Sequence, residues 1–492
     1  MFLLPQRSPL IYRRVRMVKL NFATSDLAEK FGLGEHGPSV AVSGIQIASS
    51  QCISGDLFVA VQGQNRHGIE YLTDATARGA VAVLTDEAHS PQFGITYLTH
   101  PNPRQIAGEI AAELYGTKSL GLEVFGVTGT NGKTSTATYI QQLLKALGIA
   151  CGLSASTNRI VGDQVLSSAL TTPEVTELHR MLALMPEAGQ SHVSIEVSAQ
   201  ALVRNRVDGL FFDIVGFTNF SRDHLDDFET MENYFAAKKL LFRPHIAKKG
   251  VVLVEDEVSA KFALESQIPV VTIGDPGDYQ FKYSDSMLSI SGKSTLDFPF
   301  SGGALMAKNL VLAIVMILES GLSPAKIMQA QSKAELSVPG RLERVSNHTP
   351  AVFVDYAHTP AGVQSAIAEL KSRYKQLTVV LGASGNRDIG KRPEMAAAAS
   401  VADLLVVTDQ HPRDEDPAAI RKTLIDTAEK LISADRLYEI PDPAKAIKFA
   451  IANTPSDSAV LWCGPGHLSY REIAGVKVPF DARAIAKAAV EA

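Results

Sequence analysis

The sequence predicts an α/β protein built from three consecutive α/β domains, and three observations carry that reading. The chain has 492 residues, room for three units at ~100 to 200 residues each. Apolar runs of strand length alternate with amphipathic helical stretches over most of it, the pattern of sheets covered by helices. The alternation restarts at a glycine-rich turn near residue 126 and again after "VPGRLERV", residues 338–345. The expected domains are therefore 1–117, 118–345 and 346–492.

The elements follow in order. Residues 1–16, "MFLLPQRSPLIYRRVR", are basic and partly apolar. They lack the long apolar core and small-residue cleavage site of a signal peptide. They read as a disordered extension or an upstream start, with Met17 the alternative start. Between residues 40 and 100, "GDLFVAVQG" and "GAVAVLTDE" read as strands and "IEYLTDATARGA" as the helix between them. In the central domain "EVFGVTG" is a buried strand feeding the amphipathic helix "TSTATYIQQLLKALG", which Gly148 stops. "HVSIEVS", "FDIVGFTNF" and "GVVLVEDE" are further continuous apolar runs of the parallel-sheet type. In the last domain "AVFVDYA", "QLTVVLGAS", "DLLVVTDQ" and "SAVLWCG" are strands separated by helices such as "PAGVQSAIAELKSRY".

Composition narrows the class. An apolar fraction of 46% and a charged fraction of 20% fit sizeable cores. A net charge of −5 gives no basic excess for nucleic acid. No apolar run approaches the ~18 residues that cross a bilayer. Cys52, Cys151 and Cys463 stand far apart in no metal or redox pattern, as expected of buried thiols in a reducing cytoplasm.

Four segments carry chemistry. "GVTGTNGKT", residues 126–134, has glycines at 126, 129 and 132 and Val127 where the usual phosphate loop requires glycine. A strand, a glycine turn and a helix beginning at Lys133 aim backbone N–H groups at phosphate oxygens. Lys133 would neutralise phosphate charge and the Thr134 hydroxyl would ligate Mg²⁺. The plain alternative is a glycine-rich strand-to-helix turn. Glu196, in "SIEVSAQAL", falls near a predicted strand end, where open α/β sheets collect ligands. A carboxylate there suits Mg²⁺, and taken alone it reads rather as a strand-end surface acid. His224, in "FTNFSRDHLDDF", can be a metal ligand, a base or a helix-start residue. Lys238 and Lys239, in "YFAAKKLLF", read as solvated helix charges. In the last domain "VDYAHTP" sits at a strand end. "GASGNRDIGKRP" (382–393) joins three glycines to Arg387, Lys391 and Arg392, as an anion-binding loop or a mobile charged one.

Taken in order, these segments resemble the Mur ligases, ATP-dependent amide-forming enzymes of peptidoglycan assembly, from about residue 40 to the C-terminus. The family's loop is TGTNGKT, with the glycine spacing seen here. The likeness is closest to the MurE branch, which adds the third amino acid to UDP-N-acetylmuramoyl-L-alanyl-D-glutamate. "TTPE" (171–174), "IEVSAQALVRNRV", "NFSRDHLDDF", "AAKKLLF", "VPGRLERV", "DYAHTP" and "GNRDIGKRPEM" all match its pattern. The resemblance implies a central P-loop ATPase-like domain, a C-terminal Rossmann-like domain, and ATP and Mg²⁺ as cofactors. It implies nucleotide contacts at Gly129, Thr130, Asn131, Gly132, Lys133, Thr134 and Ser135, with Asn309, Arg341, Asp355 and His358 nearby. Lys133, Glu196, His224 and Lys238 are the implied catalytic set. Thr134 and Glu196 resemble ligands of one Mg²⁺ and His224 a ligand of a second, while Lys238 matches a lysine carried as a carbamate. Ser49, Thr171, Thr172, Ser198, Arg204 and Arg206 match positions holding the muramoyl peptide. Arg387, Arg413 and Gly464 match the amino-acid site, and Gln410, His411 and Leu468 stand at positions of that site with other residues than the family's. The implied partners are the UDP-muramoyl dipeptide and a diamino acid, with neither nucleic acid nor membrane, for a cytoplasmic monomer serving cell-wall biogenesis, cell shape and division.

The chain departs from the family pattern at several points. The usual Asp-Ser-Arg is Ala48-Ser49-Ser50, the His after "EVSS" is Gln200, and the Phe-Asn before Asn309 is Leu305-Met306. Members using meso-diaminopimelate show Asp-Asn-Pro-Arg where this chain has "QHPR", and a glutamate where it has Leu468. That glutamate would receive the substrate's far ammonium. Arg413 suits a far carboxylate and repels an ammonium unless Asp409, Asp414 or Glu415 offsets it. The expectation is a diamino acid, L-lysine or L-ornithine in preference to meso-diaminopimelate. Two rivals differ in testable ways. Folylpolyglutamate synthases lack a separate domain ahead of the loop, whereas 125 residues precede Gly126 here. A regulatory P-loop ATPase would hydrolyse ATP whether or not a UDP-muramoyl peptide is present.

Overall fold

The computed structural model describes residues 21–63, 66–90, 94–168 and 170–491; the N-terminal extension 1–16 and Met17 lie outside them. The strands read from the sequence fall into three sheets, each with its own apolar core. In the first, Gly44–Gln46, Asp56–Val59, Ala80–Thr85 and Thr96–Thr99 run parallel, and Gly34–His36 closes one edge antiparallel. The helix Pro103–Leu114 starts at an Asn102 cap with proline in its first turn, and its Ile110 and Leu114 complete a core with Leu57, Leu84 and Leu98.

The central sheet has 11 strands. Its middle is parallel, in the spatial order Cys151–Ser154, His192–Glu196, Glu123–Thr128, Phe212–Phe217, Ala247–Leu253, Val270–Ile273. Both margins turn antiparallel. The strand Glu123–Thr128 is thus flanked by strands and covered by helices, which is why its sequence is continuously apolar. The helix Ala304–Glu319 is buried without a break from Asn309 to Leu318. A helix apolar all round belongs inside, and this one packs on the phosphate-loop helix Lys133–Ala146.

The third sheet orders Glu343–Arg344, Ala351–Asp355, Ala459–Cys463, Leu377–Leu381, Leu404–Val407 and Leu437–Glu439, parallel except for the first. Loops leaving the carboxyl ends of parallel strands are where α/β sheets bind ligands. Those of the second and third sheets meet each other. Lys391 pairs with Asp223 at 3.0 Å, Arg222 with Asp388 at 3.2 Å and Arg387 with Asp226 at 3.5 Å across this joint. The three cysteines are free and buried, as expected. Among the described residues no helix is long and apolar enough to cross a membrane.

Candidate active site

The glycine spacing of the loop has a steric cause. Gly129 has φ 143° and a Cβ on it would lie 1.8 Å from Thr218 Oγ1; Gly132 has φ 85° and its Cβ would lie 2.1 Å from Asn309 Oδ1. Positive φ and close approach both demand glycine. The loop is clamped from the neighbouring strand end: Thr130 N–H donates to the Asn219 carbonyl at 2.9 Å, Asn131 N–H to Asn219 Oδ1 at 3.0 Å, and Thr218 Oγ1 to the Asn131 carbonyl at 2.6 Å. Lys133 Nζ folds back on the Gly129 and Thr130 carbonyls at 3.1 and 2.8 Å. Burial pulls its pKa down while Glu196 and Asp223 oppose that shift.

Glu196 ends its strand beside Val127 and is 2% exposed. Its Oε2 accepts from Thr134 Oγ1 at 2.9 Å and from Ser156 N–H at 2.8 Å. Arg341 Nη2 donates to the same Thr134 hydroxyl at 3.2 Å, and its guanidinium lies 4.3 Å from the Tyr356 ring centroid. Two hard oxygen donors side by side, facing the cleft, form a donor set that fits Mg²⁺.

Asp223 is the residue that sequence reasoning missed, although it precedes His224. It is 3% exposed and faces His224 Nε2 at 3.4 Å, His358 Nε2 at 3.6 Å and Lys391 Nζ at 3.0 Å. Burial alone would raise its pKa; the His358 hydrogen bond and the charges of His224, His358 and Lys391 overcome that and hold it well below the carboxylate range. His224, with φ 56° at the start of the short helix Leu225–Phe228, is pushed down to about 4, burial being the largest cause. It is a neutral imidazole near pH 7, with a lone pair available to a metal.

Lys238 corrects the expectation of a solvated helix charge. Its side chain is fully buried, donates to the Gly129 carbonyl at 2.7 Å and sits 4.0 Å from the Tyr234 ring centroid. Burial, then the charge of Lys133, holds its pKa well below the usual lysine value, with Asp223 opposing. Successive helix residues point ~100° apart, so Lys239 faces outward and pairs with Glu265 at 2.6 Å. No sequence signal separates the two; the facing of the helix does.

These groups line a single cleft with two lobes of about 360 and 300 Å³. The first lobe carries Thr130–Thr134, Glu196, Ser198, Arg204, Arg206, Lys238 and Arg341. The second carries Gln410, His411, Arg413, Gly464 and Leu468. Thr171, His224, His358 and Arg387 line both. Some expected residues stand behind the walls instead. Thr172 Oγ1 donates to the Glu196 carbonyl at 2.8 Å and accepts from Ser198 N–H at 3.1 Å. Both Asp355 carboxylate oxygens accept backbone N–H groups, of Leu342 at 2.5 Å and Ala357 at 2.7 Å. Asn309 packs over Gly132, and Ser135 is buried in the first turn of its helix. Ser49 begins a short 3₁₀ turn in the first domain, outside both lobes. In the loop 382–393 Arg392 pairs with Glu415 at 2.9 Å and Lys391 with Asp223, while Arg387, 43% exposed, lies on the cleft 3.5 Å from Asp226.

Three family profiles match in chain order: "Mur ligase family, catalytic domain" over residues 41–115, "Mur ligase middle domain" over 127–317, and "Mur ligase, glutamate ligase domain" over 340–466. A UDP-N-acetylmuramyl-tripeptide synthetase of Leifsonia xyli subsp. xyli is 41% identical, covering 95% of both chains. A UDP-N-acetylmuramoyl-L-alanyl-D-glutamate--2,6-diaminopimelate ligase of Streptomyces coelicolor is 37% identical, covering 95% of this chain and 96% of that one. A solved structure of a ligase of the latter name superposes with a TM-score of 0.63 at 26% identity, covering 92% of this chain and 95% of that one. With its phosphate loop, acidic strand end and third-domain cleft wall in this arrangement, the chain belongs to the Mur ligase family.

Proposed function

We propose that this chain is an ATP-dependent acid–amino-acid ligase that adds a diamino acid, as third residue, to UDP-N-acetylmuramoyl-L-alanyl-D-glutamate. The observation that carries the reading is the continuity of the cleft: phosphate-loop groups and the Arg387, Arg413 and Gly464 wall face one another across Thr171, His224 and His358. Names borne by relatives at 41% and 37% identity over nearly the whole chain support it. The substrate's D-glutamyl side-chain carboxylate attacks the γ-phosphorus of ATP, giving an acyl phosphate and ADP. The amine of the incoming amino acid then attacks the acyl carbon and phosphate leaves as the amide forms. ATP is needed because a carboxylate oxygen leaves only once phosphorylated.

Lys133 and the loop N–H groups stabilise charge on the transferring phosphoryl group. Thr134 and Glu196 would hold one Mg²⁺, and His224 with a carbamylated Lys238 a second. Bound there, the metal supplies positive charge to phosphate oxygens. Burial holds the Lys238 pKa below the usual lysine value, which favours the neutral amine, and that amine adds to CO₂ with loss of one proton. The resulting carbamate is an anion with two oxygens. Arg204 and Arg206 are cations on the muramoyl-peptide side, and closure of the domains would exclude water from the acyl phosphate. The setting is the cytoplasm, the working form a monomer, and the product a peptidoglycan precursor used in cell shape and division. The preferred amino acid is L-lysine or L-ornithine over meso-diaminopimelate.

Phosphate release is the test. It should require the UDP-muramoyl dipeptide together with an amino acid, and mass analysis should find the tripeptide. ATP hydrolysis indifferent to that dipeptide would favour a regulatory ATPase. Competing the three diamino acids in one reaction decides the preference.

A further inference from the structure

We infer that the carboxylate of Glu472 receives the far-end ammonium of the incoming diamino acid. This rests on the ligase reading above and names the group that discriminates within it. Leu468 lines the second lobe, and an alkyl side chain there cannot pair a charge. Glu472 lines the same lobe four residues later, in the strand Tyr470–Ile473. Its own backbone pins it against the loop opposite: Glu472 N–H donates to His411 Nδ1 at 3.1 Å, and Arg413 N–H donates to the Glu472 carbonyl at 3.1 Å. The side chain lies 3.3 Å from Arg413 Nε.

The other carboxylates nearby are committed elsewhere: in the same lobe Asp223 pairs with Lys391 and Asp226 with Arg387. Asp409 pairs with Arg421 and Arg471, and Glu415 with Arg392 and the Asn386 N–H. Asp414 is absent from the lobe's lining. The offset to Arg413 that the sequence seeks in Asp409, Asp414 or Glu415 therefore comes from Glu472. An ionised carboxylate has about four acceptor sites, and among the described residues this side chain pairs only with Arg413, so it has capacity for an ammonium. The same lobe offers a second acceptor: Gln410 Oε1 is buried with no hydrogen-bond partner among the described residues. The carboxylate lost at position 468 is thus replaced, from a different backbone position, at 472.

Glu472→Gln keeps shape and removes charge, so it separates charge recognition from support of Arg413. The readout is a ratio of kcat/KM values for the variant and the wild-type enzyme. It compares the best of L-lysine, L-ornithine and meso-diaminopimelate with the same acid lacking its far amine, L-norleucine, L-norvaline or L-2-aminopimelate respectively. The ratio should fall at least about tenfold in the variant, with KM for ATP and for the UDP-muramoyl dipeptide unchanged. A purely structural role would lower both members of the pair alike and leave the ratio at its wild-type value, which would overturn the assignment. Failure of the wild-type enzyme to form tripeptide with any of the three would overturn the ligase reading and this inference together.

Discussion

At the scale of single residues, the environment of each cation decides its chemistry. Lys133 and Lys238 share a buried space with Asp223, and desolvation is the largest influence on both. Lys133→Ala should lower phosphate release at least about 10²-fold, while the melting midpoint stays near wild type, because the side chain supports no apolar core. Near-normal turnover in a folded variant would remove the loop from the mechanism. Lys238 should carry a carbamate: ¹³C-bicarbonate should give a carbamate resonance that disappears in Lys238→Ala. Lys239→Gln is the control. Its pair with Glu265 is solvent-exposed and worth ~0 to 1 kcal/mol, so both resonance and activity should persist.

Secondary-structure elements were the most legible level, and physics explains why. Strands such as Glu123–Thr128 and Ala459–Cys463 are buried on both faces, so each announces itself as a largely apolar run. Prolines at 103, 360, 417 and 443 sit in the first turns of their helices, where the missing N–H costs nothing. The margins of the central sheet were less legible. Strands such as Tyr279–Ser284 and Met287–Gly292 alternate between more and less exposed positions and carry no long apolar run. Glycines of like φ separate backbone from contact effects. Gly132→Ala should abolish tight ATP binding, since its Cβ would collide with Asn309. Gly148→Ala has similar φ, 76°, with nothing within 4 Å of its Cβ. It should cost only ~1 to 2 kcal/mol of stability and leave the KM for ATP unchanged. Equal effects on ATP binding would show that the loop's packing on the helix Ala304–Glu319 is irrelevant.

At the scale of the whole molecule, the charged joint ties the loops of the second and third sheets together beside the cleft. Lys391 and Asp223 are both nearly buried, whereas Arg222 is 38% exposed. Removing one partner of a buried pair costs ~3 to 5 kcal/mol, here reduced by the two histidines that still face Asp223. Lys391→Ala should therefore raise the radius of gyration measured by small-angle scattering and lower turnover; Arg222→Ala should do neither measurably, since exposed pairs give ~0 to 1 kcal/mol. Identical behaviour of the two variants would show that burial of the Asp223 pair does not set closure. The sequence by itself determined the three-unit α/β organisation, the phosphate loop and the order of the family's segments, because those depend on local periodicity and on glycine conformations that a short stretch specifies. Only the tertiary structure decided that Lys238 is buried and Lys239 is not, that Asp223 meets two histidines and a lysine contributed by the second and third domains, that Asp355 supports backbone, and that Glu472 stands beside Arg413. Burial and charge pairing are set by residues distant along the chain, and no local pattern encodes which of them will meet.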